Sequence, residues 1–320
     1  LQRYASLQEN SPEPRIRLKY NITNRLRFKG ATGLYSQNLM SAVSDRDVVN
    51  LFYGFLSGPE NLPRTFDGEE VTSKLQKARH AVAGFEFDLS AQIEMNAEVY
   101  IKDFNQITNI NRNKIFDNNT ENANRPDRLK QDYIVERGTA YGYDVTFLYE
   151  GDQLYLWLVY SYNNVSRYDG FENYQPHFDR RHNINVVASY DFGEEKEWSA
   201  NLRWNFGSGF PFTLTQGFYE LLNFSDGATT DYLTSNGELG ILYDQINQGR
   251  LPYYHRMDAS IKRVISWDAD EDRQKAPKME VILSVTNVYD RNNIFYFDRV
   301  AYDRVDQLPF LPSLSVSYAF

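Results

Sequence analysis

Cysteine is absent from the 320 residues, which removes disulfides, thiol catalysis and zinc–thiolate centres at the outset. No apolar run reaches the roughly 18 residues that a membrane-crossing helix needs. A surplus of positive charge is missing too: 34 Lys and Arg against 43 Asp and Glu leave −9. A chain so charged has no basic excess to displace the counterions of a polyanion, so nucleic acid is not a partner. Histidine is scarce, limited to His80, His177, His182 and His255, and no pair has the i, i+4 helical spacing of a zinc hydrolase. The nearest approach to a metal site is His177 and His182 with Asp179 between them, and no metal or other cofactor is assigned. No nucleophile elbow and no glycine-rich phosphate loop occurs, so no catalytic residue is assigned either. Leu1 follows no initiator Met, basic segment or apolar leader, and the organisation below leads us to expect that the chain starts inside a longer protein.

Aromatic residues are abundant, with 24 Tyr and 21 Phe. Membrane barrels concentrate such residues at both water–lipid boundaries, although a Tyr-rich soluble β-sandwich would show the same composition. Periodicity separates the two. Leu314, Val316, Tyr318 and Phe320 alternate with Ser313, Ser315, Ser317 and Ala319, giving one apolar and one small or polar face. The same period of two recurs near 16–22, 25–36, 81–90, 93–102, 143–150, 153–168, 183–192, 198–206, 256–267 and 278–286. Ile282 is an exception within its run.

With the C-terminal run this makes eleven strands, several longer than the common soluble length of about 5–6 residues. Short gaps fall at Thr23-Asn24, Ser90-Ala91, Gly151-Asp152, Gly193 to Glu197 and Asp268 to Pro277. Long gaps fall at about 37–77, 113–131, 169–180, 215–252 and 291–311. Short turns at one end and long loops at the other predict an all-β, antiparallel, up-and-down transmembrane β-barrel. Single-chain bacterial barrels have even strand numbers, and eleven is half of the roughly 22 found in plugged outer-membrane transporters. The expected architecture over 1–320 is therefore the C-terminal half of such a barrel. Its C-terminus would be periplasmic, its long loops extracellular and Leu1 to Glu13 the tail of a loop.

Seven stretches then resemble TonB-dependent receptors, particularly those of Bacteroidetes-type bacteria. They are Ser11 to Tyr20, Gly33 to Gln37, Gly138 to Asp144, Phe178 to His182, Gly207 to Thr213, Leu251 to Asp258 and Asn287 to Asn293, in the family's order. The resemblance implies active import of a metal-chelate, vitamin, glycan or peptide across the outer membrane. It implies energy from the TonB complex acting through a plug, and neither plug nor TonB box occurs in this chain. It also implies outer-membrane lipid around the barrel and a surface lipoprotein as a further partner. The barrel-assembly machinery would recognise Leu314, Val316, Tyr318 and Phe320. A passive porin-like or adhesive barrel is the alternative.

Candidate substrate contacts lie in the loops: Tyr219, Phe224, Tyr232 and Tyr243, whose rings suit sugars or other polar ligands, and Arg180 within Asp179-Arg180-Arg181-His182. That cluster and His255-Arg256-Asp258 also read as structural ion-pair networks. The acidic residues Glu86, Asp88, Glu94 and Glu98 read as hydrating the lumen or meeting the plug.

Overall fold

The computed structural model describes residues 1–41, 55–57, 62–221, 238–267 and 278–319. Eleven strands follow one another in a single antiparallel meander, each bonded to its neighbours in sequence. They are β1 (Arg15–Asn21), β2 (Leu26–Gln37), β3 (Gln76–Asp88), β4 (Ile93–Ile110), β5 (Tyr133–Glu150) and β6 (Leu154–Tyr168). The meander continues with β7 (His182–Phe192), β8 (Trp198–Gly207), β9 (Tyr254–Ser266), β10 (Lys278–Thr286) and β11 (Leu311–Ala319). The two-residue strand Asn173–Tyr174 adds to β6, making a sheet of twelve. The sheet is open, with β1 and β11 as its edges. Among the described residues the only helical element is a 3-10 turn, Asp127–Leu129.

Register carries the alternation across the whole sheet. Phe85 faces Ala97, Val99 faces Tyr143, and Tyr143 faces Tyr162. Further along, Leu154 faces Tyr190, Trp204 faces Met257, Ile261 faces Leu283, and Leu283 faces Leu314. Because each pair shares one side, a one-residue slip anywhere would turn apolar side chains into the polar layer. The polar layer is equally continuous, with Asn183 and Gly207 paired, Asn205 opposite Arg256, and Ser260 opposite Ser284. Ile282 sits in that layer, between Lys262 and Ser315, as its position in the pattern requires.

Among the described residues no dry core lies behind this sheet. Val99, Ile101, Leu283, Leu314, Val316 and Tyr318 each expose half or more of their surface. A contiguous apolar face this large does not persist in water; it is a face built for lipid. The apolar side is bounded by rings at both ends. Phe192 stacks on Tyr190 and Trp198 near the short turns, and Trp204 on Phe206 near the long loops. The Arg263 guanidinium lies 4.9 Å from the centre of the Trp198 ring, its charge carried at the turn end of the apolar side.

β4 and β5 run further toward the loops than the alternation alone indicates. Register shifts between Phe104 and Ile107, so that Ile107, Thr108 and Asn109 are all buried beyond the bulge. A bulge inserts one residue and breaks the period of two, which hides the strand's continuation. The 37–77 gap contains hairpins at Leu39–Ser41 with Phe55–Ser57 and at Thr65–Phe66 with Glu69–Glu70. Two more hairpins, Thr215–Leu221 with Glu238–Tyr243 and Ile294–Asp298 with Asp303–Asp306, occupy other long gaps. The short gap at 268–277 lies outside the described residues.

Candidate functional site

Fully buried charge collects at the loop end of the sheet. Glu136, on β5, is completely covered, and it accepts hydrogen bonds from Arg112 at 3.0 Å and from the Tyr174 hydroxyl at 2.7 Å. Arg112 also pairs with Asp169, which ties two loop segments to β5. Burial works against the Arg112 charge, yet Tyr174, Glu136 and Asp169 together raise its pKa above the ordinary arginine value.

Asp179 is the second such anchor. It is fully buried, pairs with Arg250 at 2.7 Å and Arg181 at 3.3 Å, and accepts the Val165 backbone N–H at 2.9 Å. Asn287 is the third. Its amide donates to the Arg291 and Leu308 carbonyls, and its own N–H donates to Asp258. It holds the left-handed φ of 55° that Asn tolerates better than most residues. Arg256 pairs with Asp258 at 3.0 Å.

The cluster at 179–182 therefore divides. Asp179 and Arg181 serve the fold, and His182 meets the Tyr160 hydroxyl through Nδ1 at 2.9 Å. Arg180 has neither a carboxylate nor a hydrogen-bond partner among the described residues, and its Nε is buried without one. The guanidinium lies 4.0 Å from the centre of Phe210 and 5.6 Å from that of Tyr254. It rests on the polar side of Gly207, where a Cβ would overlap it. Burial pushes the Arg180 guanidinium below its usual range, with Tyr254 acting the other way. A cation held by ring faces and lacking a counterion is a poised anion contact.

Arg180 lines a cavity of about 730 Å³ whose other cations include Arg291 and Arg304 and whose sole acidic residue is Asp290. Arg304 is paired with Asp306, whereas the Arg291 guanidinium donates only to the Tyr253 carbonyl. A second cavity of about 690 Å³ adjoins it at Leu251 and is walled by Phe212, Phe218, Tyr243 and Tyr302. There Arg299 lies 5.4 Å from the Tyr243 ring centre and donates to Thr215.

Of the residues singled out by sequence, Arg180 and Tyr243 thus line neighbouring cavities. Tyr219 pairs with Gly240 in its hairpin and projects from the side opposite Phe218 and Ile241, so it stands apart from Tyr243. Phe224, Tyr232 and Phe320 lie outside the described residues. Leu314, Val316 and Tyr318 form the exposed apolar row of β11. Arg299 and Tyr302 emerge only from the structure, because no local pattern marks them, and Arg291 is marked only as part of the Asn287 to Asn293 stretch.

Among the described residues no group of three or more His, Asp or Glu side chains is arranged to hold a metal. Glu86, Asp88 and Glu98 are engaged within the sheet: Arg27 bonds Glu86 and Asp88 at 2.6 and 2.5 Å, and Lys29 bridges Glu86 and Glu98.

No family model and no curated protein matches the chain. Solved structures do. The ferripyoverdine receptor of the outer membrane of Pseudomonas aeruginosa matches 95% of this chain with a TM-score of 0.54 and 10% identity. The ferric citrate transporter FecA matches 96% with 0.53 and 14%, and the ferric-catecholate import receptor Fiu of E. coli K12 matches 94% with 0.52 and 13%. The chain spans about a third of their length, 32%, 38% and 34% respectively. At such identities the likeness is one of fold: these residues adopt the barrel fold of TonB-dependent outer-membrane receptors.

Proposed function

We propose that this chain is the C-terminal part of the barrel of a TonB-dependent outer-membrane transporter, and that it serves the active import of a nutrient. In this reading lipid covers the Val99, Leu283 and Leu314 side, water fills the opposite side, and the long loops open outside the cell. The observation that carries it is the apolar face of an eleven-stranded meander with, among the described residues, no core behind it. Lipid cannot satisfy open backbone edges, so β1 and β11 would each pair with strands that lie outside these residues.

Energy would come from the TonB complex through a plug encoded elsewhere in the protein. The barrel-assembly machinery would read Leu314, Val316, Tyr318 and Phe320, and a surface lipoprotein would cap the loops. Arg180, Tyr219, Phe224, Tyr232 and Tyr243 are assigned to substrate, and of these Arg180 and Tyr243 line neighbouring cavities. The structures of like fold are named for iron chelates, so ferric chelates head the screen, ahead of vitamins, glycans and peptides.

The absence of native cysteine makes the test clean. Single cysteines at Val99 and Leu314 should react with a lipid-soluble maleimide and resist a charged one. Cysteines at Glu98 and Ser315 should do the reverse, and one at Tyr302 should label on intact cells. Equal labelling of both sheet sides by the charged reagent would end the barrel reading. Uptake of the screened solute should stop when TonB is deleted; uptake that persists would make the barrel a passive pore.

A further inference from the structure

We propose a second ligand site, on the water side of the sheet wall and separate from the Arg180 cavity. It takes a small solute that carries an oxyanion, phosphate or carboxylate, on a flat ring. The inference rests on the barrel reading only in requiring that the polar side of the sheet meets water. The site is a cavity of about 440 Å³ formed by β2, β3, β4, β5 and β6, within the size range of small-molecule pockets, about 300–1,000 Å³.

Its charge is one-sided. Lys102 and Arg167 bring its charge, and among the described residues no Asp or Glu lines it. The same polar layer is managed differently nearer the short turns, where Arg27 and Lys29 are matched by Glu86, Asp88 and Glu98. Lys102 has no such match. Its ammonium lies 5.1 Å from the centre of the Tyr100 ring and has no carboxylate or hydrogen-bond partner among the described residues. Arg167, by contrast, is held by Glu136 at 3.5 Å and is part of the structural network.

The walls suit a ring. His80 stacks on Tyr35 with centroids 4.3 Å apart and meets Phe104 edge-on at 6.2 Å, and Phe178 closes the outer side beneath Arg167. The His80 Nε2 is buried without a hydrogen-bond partner. A buried polar nitrogen and an unmatched ammonium in one aromatic cavity are two places where a ligand oxygen would relieve an unmet interaction. Lys102 supplies a charge-assisted hydrogen bond, and the Tyr100 and Phe178 faces supply area for a ring.

The test is calorimetric titration of the intact protein in detergent with phenyl phosphate. Phenol and inorganic phosphate, each titrated alone, serve as the two halves of that probe. Each titration is run on the wild type and on R180Q, which removes from the rim cavity the guanidinium proposed to meet substrate. Phenyl phosphate should bind R180Q at least about tenfold more tightly than either half. K102Q on that background should remove about tenfold of the affinity, and K102R should restore it. Unchanged far-UV circular dichroism of each variant secures the comparison. Binding no tighter than that of phenol, or equal affinity in K102Q, overturns the site. A protein that binds through Lys102 yet imports nothing would leave the site and remove the transport reading. A working importer indifferent to K102Q would do the opposite.

Discussion

At the residue scale, the loop end of this sheet separates charges that hold the fold from charges left over. Glu136 has no solvent exposure and four partners, Arg112, Arg167, Tyr174 and Asn109. Removing it leaves the buried Arg112 with Asp169 alone and takes a carboxylate from Arg167, and breaking a buried pair from one side costs about 3–5 kcal/mol. E136A should therefore lower the thermal unfolding midpoint in detergent and open the 111–132 loop to protease. E136Q, which keeps an acceptor for Tyr174, should do less. Arg180 is the opposite case, since among the described residues only ring faces, and no carboxylate, meet its charge. R180Q should leave the melting curve in place while raising the KM for import of an anionic substrate about tenfold. G207A should mimic it, because a Cβ there takes the space in which the guanidinium rests. A KM that moves in neither variant would remove Arg180 from the substrate path.

At the element scale, what matters is which side of a strand a residue occupies. Val99 and Glu98 are adjacent on β4 and lie on opposite sides of the sheet, Val99 against Ala83 and Tyr143, Glu98 against Gly84 and Asp144. V99R places a charge in the middle of the lipid side and should cost about 2–4 kcal/mol, read as a shift of the urea-unfolding curve in lipid vesicles. E98Q should shift it by less than about 1 kcal/mol, since the Lys29 contact it weakens is a partly exposed ion pair. Equal effects at the two positions would mean that the sides do not differ in solvent. The bulge at Phe104 to Ile107 belongs to this scale too. It turns β4 out of register so that its last residues pack under the loops rather than against lipid.

At the scale of the whole molecule, the sheet ends in two unpaired edges, and both strands there are exposed along their length. Residues 1–320 expressed alone should fail to give a heat-modifiable monomer in outer membranes. They should either aggregate or associate through β1 and β11, as open edges do. Gel mobility with and without boiling reads this directly. A stable lone monomer would mean that the two edges close on each other.

The sequence by itself determined the eleven strands, their order and the side on which each residue falls. A period of two is a local property, and an antiparallel meander needs only neighbouring strands to pair. Long and short gaps were legible for the same reason, as were the rows of β11. Tertiary structure alone decided which loop charges are matched. Arg180 and Arg181 are adjacent and chemically identical, yet one meets Asp179 and the other meets only rings. Arg250 reaches Asp179 across 71 positions, and Tyr174 reaches Glu136 across 38. Pairings at such separations are set by where the strands deliver their loops, so composition and spacing carry no trace of them. The bulge in β4 escaped notice because one inserted residue erases the alternation that reveals a strand.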